Sequence, residues 1–241
     1  MSPCARCGLP HAAGRACPVL PALPTSAAGT TLPRGTLVGG RFRIEQVTHR
    51  SGMSTVYQAV DVRNHGMGVA LKELNAAGLS GAERAEALTW LAREAGLLST
   101  LRDPRLPALL AVAGEGDRHY VAMPFLRGET MEQRIAREGA QNELLVLDWA
   151  GELAALLRYL HGQDPPIVHR DLKPANVLIR PDGSIALLDL GVARSLERGA
   201  SGTAVGTPGY APPEQYQGLA DERSDLYALG ATLHRALTGY N

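Results

Sequence analysis

From residue 41 onward, hydrophobic and polar positions alternate in short runs. "RFRIEQV", "STVYQAVDV" and "GVALKEL" are rich in β-branched residues and are separated by the turn-like "HRSG" and "RNHGMG". A side-chain period near two predicts strands, and connections this short predict antiparallel neighbours. The period then changes. From Glu83 to Leu101, the residues Leu88, Leu91, Ala95, Leu98 and Leu101 recur at helical spacing, which predicts an amphipathic helix. "LLAVAGEGDRHYVAMPFL" returns to strands, two of them around a turn at Gly114 to Asp117. After Gly128 the pattern is mainly helical, and Leu144 to Leu160 is apolar on most sides, as a buried core helix is. Strands first and helices later predict an α+β fold with two lobes. The N-terminal lobe, residues 41–126, is expected to be a five-stranded antiparallel sheet with one helix, and the C-terminal lobe, residues 127–241, to be mainly helical.

The first 40 residues lack such a period. "PVLPALPTSAAGTTLPRG" is rich in Pro, Ala, Thr and Gly and reads as part of a linker over residues 21–40. Residues 1–20 hold all three cysteines, Cys4, Cys7 and Cys17, with His11 between them. Cys4 and Cys7 form a C-x-x-C pair like half of a zinc ribbon, but Leu20 stands where a second pair would finish. Two readings stay open: a tetrahedral zinc site completed by His11, or a tail without metal. The absence of cysteine after residue 17 rules out a disulfide framework in the main domain.

Composition narrows the function classes. Of 241 residues, 45% are hydrophobic and 20% charged, with a formal net charge of zero. That balance argues against a broad basic nucleic-acid footprint. No run is long and apolar enough for a membrane span, and no secretory leader precedes the domain, so the expected compartment is the cytoplasm. Among the 24 basic residues only Lys72 and Lys173 are lysine. An ammonium is a compact charge on a flexible stem, whereas a guanidinium is a wide planar fork. A narrow site facing phosphate oxygen selects the former. Lys72 ends the strand "VALK", and Lys173 follows Asp171 by two positions. Glu94 lies three residues after Leu91 and four before Leu98, so it projects from the apolar stripe of its helix and needs a cation there.

Around these residues the chain resembles the serine/threonine protein kinases, most closely the bacterial relatives of the eukaryotic enzymes. "HRDLKPAN" matches the catalytic loop, "DLG" at Asp189 to Gly191 the metal-binding D-F-G, and "GTPGYAPPEQ" the close of the activation segment. "SDLYALG" puts Asp225 where the family's central helix begins. The resemblance covers Arg41 to Asn241 and implies a bilobal kinase fold that transfers the γ-phosphoryl group of Mg-ATP to a protein hydroxyl. It implies that Asp171 accepts the hydroxyl proton and Lys173 neutralises the moving phosphoryl group, a lysine there marking Ser/Thr rather than Tyr specificity. It implies further that Asn176 and Asp189 hold Mg²⁺, and that Lys72, paired with Glu94, holds the α- and β-phosphates. Thr48, Val56, Ala70 and Met123 would face adenine. The implied partners are ATP and a protein substrate, with self-association for autophosphorylation at Ser195, Ser201 or Thr203. Thr207 is expected to touch Asp171 and Lys173 instead.

Two departures limit that reading. The family's phosphate loop G-x-G-x-x-G falls on His49, Ser51 and Ser54, leaving Gly52 alone, so ATP binding is expected to be weakened and His49 to face water. The chain also stops soon after the helix near Asp225, where a family domain continues, so that Leu229, Leu233 and Leu237 are expected to lack cover. The alternative function is therefore a catalytically weak or inactive kinase-like binding module.

Overall fold

The computed structural model describes residues 31–50, 54–75, 79–115, 118–190 and 206–240. The described residues form two compact units, residues 31–102 with 107–126 and residues 103–106 with 127–240.

In the first unit six strands form one antiparallel sheet. They are β1 (Leu37–Val38), β2 (Phe42–Arg50), β3 (Ser54–Asp61), β4 (Met67–Asn75), β5 (Ala111–Glu115) and β6 (Arg118–Pro124), in the order β1-β2-β3-β4-β6-β5. Five of them answer the alternating runs, while β1 is two residues paired with Phe42 and Arg43. Helix α1 (Gly81–Thr100) begins at a capping box in which Ser80 and Glu83 satisfy each other's backbone amides. One sheet face buries Phe42, Ile44, Tyr57, Val69, Leu71 and Tyr120, all at most 1% exposed. Each such side chain stabilises the fold by about 1.5–3 kcal/mol. Leu32 joins this core, and its amide donates to the Tyr57 hydroxyl at 3.1 Å. The packed unit thus starts ahead of residue 41. The described part of the expected linker is instead core and strand, because Leu32 and Val38 are apolar anchors and Gly39 and Gly40 turn the chain through φ +61° and +57° into β2.

In the second unit β7 (Glu129–Thr130), β8 (Val177–Ile179) and β9 (Ile185–Leu187) make a small antiparallel sheet. The helices are α2 (Met131–Glu138), α3 (Glu143–His161), α4 (Pro213–Tyr216) and α5 (Glu222–Thr238), with α3 packed on α5. Helix α3 buries Val146, Trp149, Leu153, Leu156, Leu157 and Leu160. Its first two turns nevertheless leave Leu144 and Leu147 at 72% and 59% exposure. It is buried along one stripe, since apolar composition alone does not decide which residues a partner covers. On α5, Leu229 and Leu233 are half-buried against the expectation of bare leucines, whereas Leu226 and Leu237 are exposed. Residues 103–106 follow α1 in sequence but pack in this unit: Leu187 donates its amide to the Arg105 carbonyl, and the Arg105 guanidinium donates to the Glu152 carbonyl, both at 2.8 Å. Among the described residues no helix is long and apolar enough to cross a membrane.

Candidate active site

The first unit holds the candidate residues around Lys72. Lys72 of β4 is the cross-strand partner of Val56 and Val121, and Ala70 is the partner of Met123. Cross-strand partners and alternate residues share a face, so Lys72, Ala70, Val56 and Met123 stand together on the face opposite the Tyr57 and Leu71 core. Helix α1 presents Glu94, 3% exposed, between the buried Leu91 and Leu98. Lys72 Nζ meets both its oxygens, at 2.8 and 3.1 Å. Two charges this buried are tolerated because each is the other's partner, and removing one would strand the other.

The same unit redraws two roles at the sheet edge. Thr48 lies at a bulge in β2, is exposed, and donates its hydroxyl to the Val56 carbonyl at 3.0 Å. The place opposite Val56 belongs to His49, which is exposed as expected yet shares the face of Lys72. Ser54 is half-buried at the start of β3, while Ser51 and Gly52 lie outside the described residues.

The second unit holds the candidate residues around Asp171. Asp171, 7% exposed, is surrounded by donors. Thr207 Oγ1 donates to its Oδ1 at 2.8 Å, Asn176 Nδ2 to its Oδ2 at 2.9 Å, and Lys173 Nζ reaches Oδ2 at 3.1 Å. Lys173 also donates to Thr207 Oγ1 at 3.0 Å. Asn176 ends a single 3₁₀ turn, Pro174–Asn176, that aims its amide back at the carboxylate. The expected contact of Thr207 with both Asp171 and Lys173 is thus present.

What holds this loop is a residue 54 positions further on. Asp225, fully buried at the start of α5, accepts the backbone amides of His169 and Arg170 and the ring of His161, each at 2.8 Å. Arg170 sits at φ +67°, a left-handed conformation that costs a non-glycine residue about 1–3 kcal/mol. The Asp225 bond on its amide and the Gln215 bond on its carbonyl, at 2.8 Å, hold it there. His169 receives the Asp171 amide at Nδ1 and gives Nε2–H to the Asp189 carbonyl at 2.5 Å, a pairing that assigns its tautomer and ties the segment of Asp189 to the catalytic loop. The Leu188 amide donates to the Asn176 carbonyl at 2.9 Å, so Asn176 and Asp189 are neighbours through backbone. Sequence reasoning placed Asp225 but missed its duty, and missed His161 and Gln215 altogether.

Magnesium fits the residues present. Asn176 spends its amide hydrogens on Asp171, leaving Oδ1 as the atom for a cation, and Asp189 adds a carboxylate, so both ligands are hard oxygens. Cys4, Cys7, His11 and Cys17, and the activation-segment residues Ser195, Ser201 and Thr203, lie outside the described residues.

The chain is similar to known proteins in sequence and in fold. The protein kinase domain profile matches residues 50–241. The serine/threonine-protein kinase PrkC of Bacillus subtilis is 32% identical over 209 residues, 85% of this chain and 31% of its own length. PknA of Mycobacterium tuberculosis is 31% identical over 217 residues, 85% of this chain and 48% of its own. The apo form of PpkA-294 superposes with a TM-score of 0.73 at 27% identity, covering 87% of this chain and 79% of that one. The chain therefore spans less than half the length of these two curated relatives.

Proposed function

The chain belongs to the protein kinase family, and from that premise we propose that it is an ATP-dependent serine/threonine kinase acting on protein hydroxyls. The Asp171 carboxylate carries this reading. It is buried and held by the donors Lys173, Thr207 and Asn176, which a substrate hydroxyl would displace on its way to giving up its proton. Lys173 stands beside it to offset negative charge gathering on the transferred group. Lys72, held still by Glu94, offers a compact cation to the α- and β-phosphates. Val56, Ala70 and Met123 give the apolar face that an adenine needs. Asn176 and Asp189 would hold Mg²⁺, which neutralises phosphate charge when bound. The relatives named above are serine/threonine kinases, which supports the same acceptor class.

Incubation with γ-labelled ATP, magnesium and an unstructured Ser/Thr-rich acceptor tests the proposal. Label on serine or threonine, abolished by a chelator, is the expected result. Failure to label the acceptor would overturn it and favour the binding-module alternative; label on tyrosine alone would overturn the serine/threonine acceptor class. Self-association for autophosphorylation predicts that labelling of the chain itself rises more steeply than its concentration. The Cys segment, as a zinc site on Cys4, Cys7, His11 and Cys17, predicts one equivalent of tightly held zinc by elemental analysis.

A further inference from the structure

One polar side chain on the Lys72 face of the sheet has no place in the chemistry above. His49 in β2 is the cross-strand partner of Val56 in β3, and Val56 is the partner of Lys72 in β4. The three form one rank across three strands, and directly paired residues stand on the same face. Ala70 and Met123 belong to the neighbouring rank, which Gln58 and Gln46 continue toward the β2 edge. The ranks therefore divide the face: one holds the apolar Ala70 and Met123, the other the ammonium. His49 is in the ammonium's rank.

Adjacent strands lie about 4.8 Å apart, so the backbones at His49 and Lys72 stand roughly 10 Å from each other, close enough for both side chains to reach one diphosphate. Lys72 arrives there with its charge already offset by both oxygens of Glu94. An anion meeting that pair needs a further donor. Gln46 bonds Gln58 at 2.7 Å, and the Thr48 hydroxyl bonds the Val56 carbonyl at 3.0 Å. The His49 ring is exposed and has no hydrogen bond or ion pair with any of the described residues. Position 49 is also where the kinase phosphate loop carries its first glycine. A Cβ there holds the backbone back from close approach, so the contact falls to a side chain. Imidazole suits the place, being short and planar and carrying an N–H donor.

We propose that His49 is a specificity-determining residue for the nucleotide, donating a ring N–H to an α- or β-phosphoryl oxygen across the rank from Lys72. This rests on the ATP-dependent reading above. It makes the ring a discriminator between ligands with and without phosphate, and not a contact for base or ribose.

The test is calorimetric titration of the full chain, as wild type, His49→Ala and His49→Gln, with MgATP, MgADP and adenosine. His49→Ala should weaken MgATP and MgADP about fivefold. Adenosine should bind it as it binds the wild type, which also shows the fold intact. His49→Gln, which keeps an N–H donor, should recover much of the loss. Unchanged MgADP affinity in His49→Ala would overturn the proposal. An equal loss for adenosine would also overturn it, by placing the ring on base or ribose. If the wild type binds none of the three ligands, the ATP-dependent reading falls, and this proposal with it.

Discussion

The two lysines of the chain meet their carboxylates in different ways. Lys72 reaches across from β4 to α1 and is gripped by both oxygens of Glu94, 22 residues away, with side chains only 11% and 4% exposed. Lys173 stands two residues from Asp171 and shares it with the Thr207 hydroxyl and the Asn176 amide. The first pair is bidentate, both Glu94 oxygens on one ammonium, and in the proposed function it would fix that cation. The second is equally buried, with side chains 15% and 6% exposed, but its carboxylate is shared among several donors, which in the proposed function a substrate hydroxyl would displace. The contrast separates positioning from reactivity, although both sites use the same two functional groups.

Breaking the bidentate pair should do the most damage. Lys72→Met removes the bidentate ammonium from the buried Glu94 carboxylate and should cost about 3–5 kcal/mol of stability, together with most phosphoryl transfer. Lys72→Met/Glu94→Leu should recover much of that stability in thermal melts but none of the transfer. If the double variant is no more stable than the single one, the burial argument is wrong. The shared pair should respond more gently. Thr207→Ala leaves Asp171 and Lys173 in place but loosens both, and an activity loss of about tenfold is expected, largely restored in Thr207→Ser. A smaller effect is expected at the phosphate loop, where Ser51→Gly/Ser54→Gly should tighten ATP a few-fold in a titration. Unchanged affinity would mean that the missing glycines do not matter.

The smallest effect lies on the other face of the same sheet, beside Lys72 in register. Burial, and then the hydrogen bond to Glu73, push the Tyr57 phenol up to about 12 from 10.0. Below pH 10 both folded and unfolded chains keep that proton. Between about pH 10 and about 12 only the unfolded chain loses it, so this contribution to stability disappears as pH rises through the window. Tyr57→Phe should be about 1 kcal/mol less stable at neutral pH, and the difference from wild type should shrink in alkaline melts. A constant difference from pH 8 to 11 would show that the phenol does not titrate as described.

Much of this arrangement is written locally. The strands come from a period of two, and the Lys72–Glu94 pair follows from a strand end and the phase of one helix. The catalytic loop is contiguous, so its residues could be named before their geometry was seen. What was not legible depends on long-range contacts to backbone. Asp225 clasps the amides of His169 and Arg170 from 56 and 55 residues away, and no periodicity announces that a carboxylate will cap a loop rather than face water. Leu32 looked like linker because a lone leucine among prolines carries no pattern, and the bulge at Thr48, which puts His49 opposite Val56, carries no sequence signal either.

The most direct test of the central claim, that the two lysine–carboxylate sites serve one transfer, is the rate of γ-phosphoryl transfer in Asp171→Asn, Lys72→Met and the combination. Asp171→Asn should keep the fold and lose about 10³-fold in rate, and the combined variant should be no slower than the slower single one, as groups acting in one step are non-additive. Wild-type transfer by either single variant, or fully multiplied losses in the combination, would contradict the account.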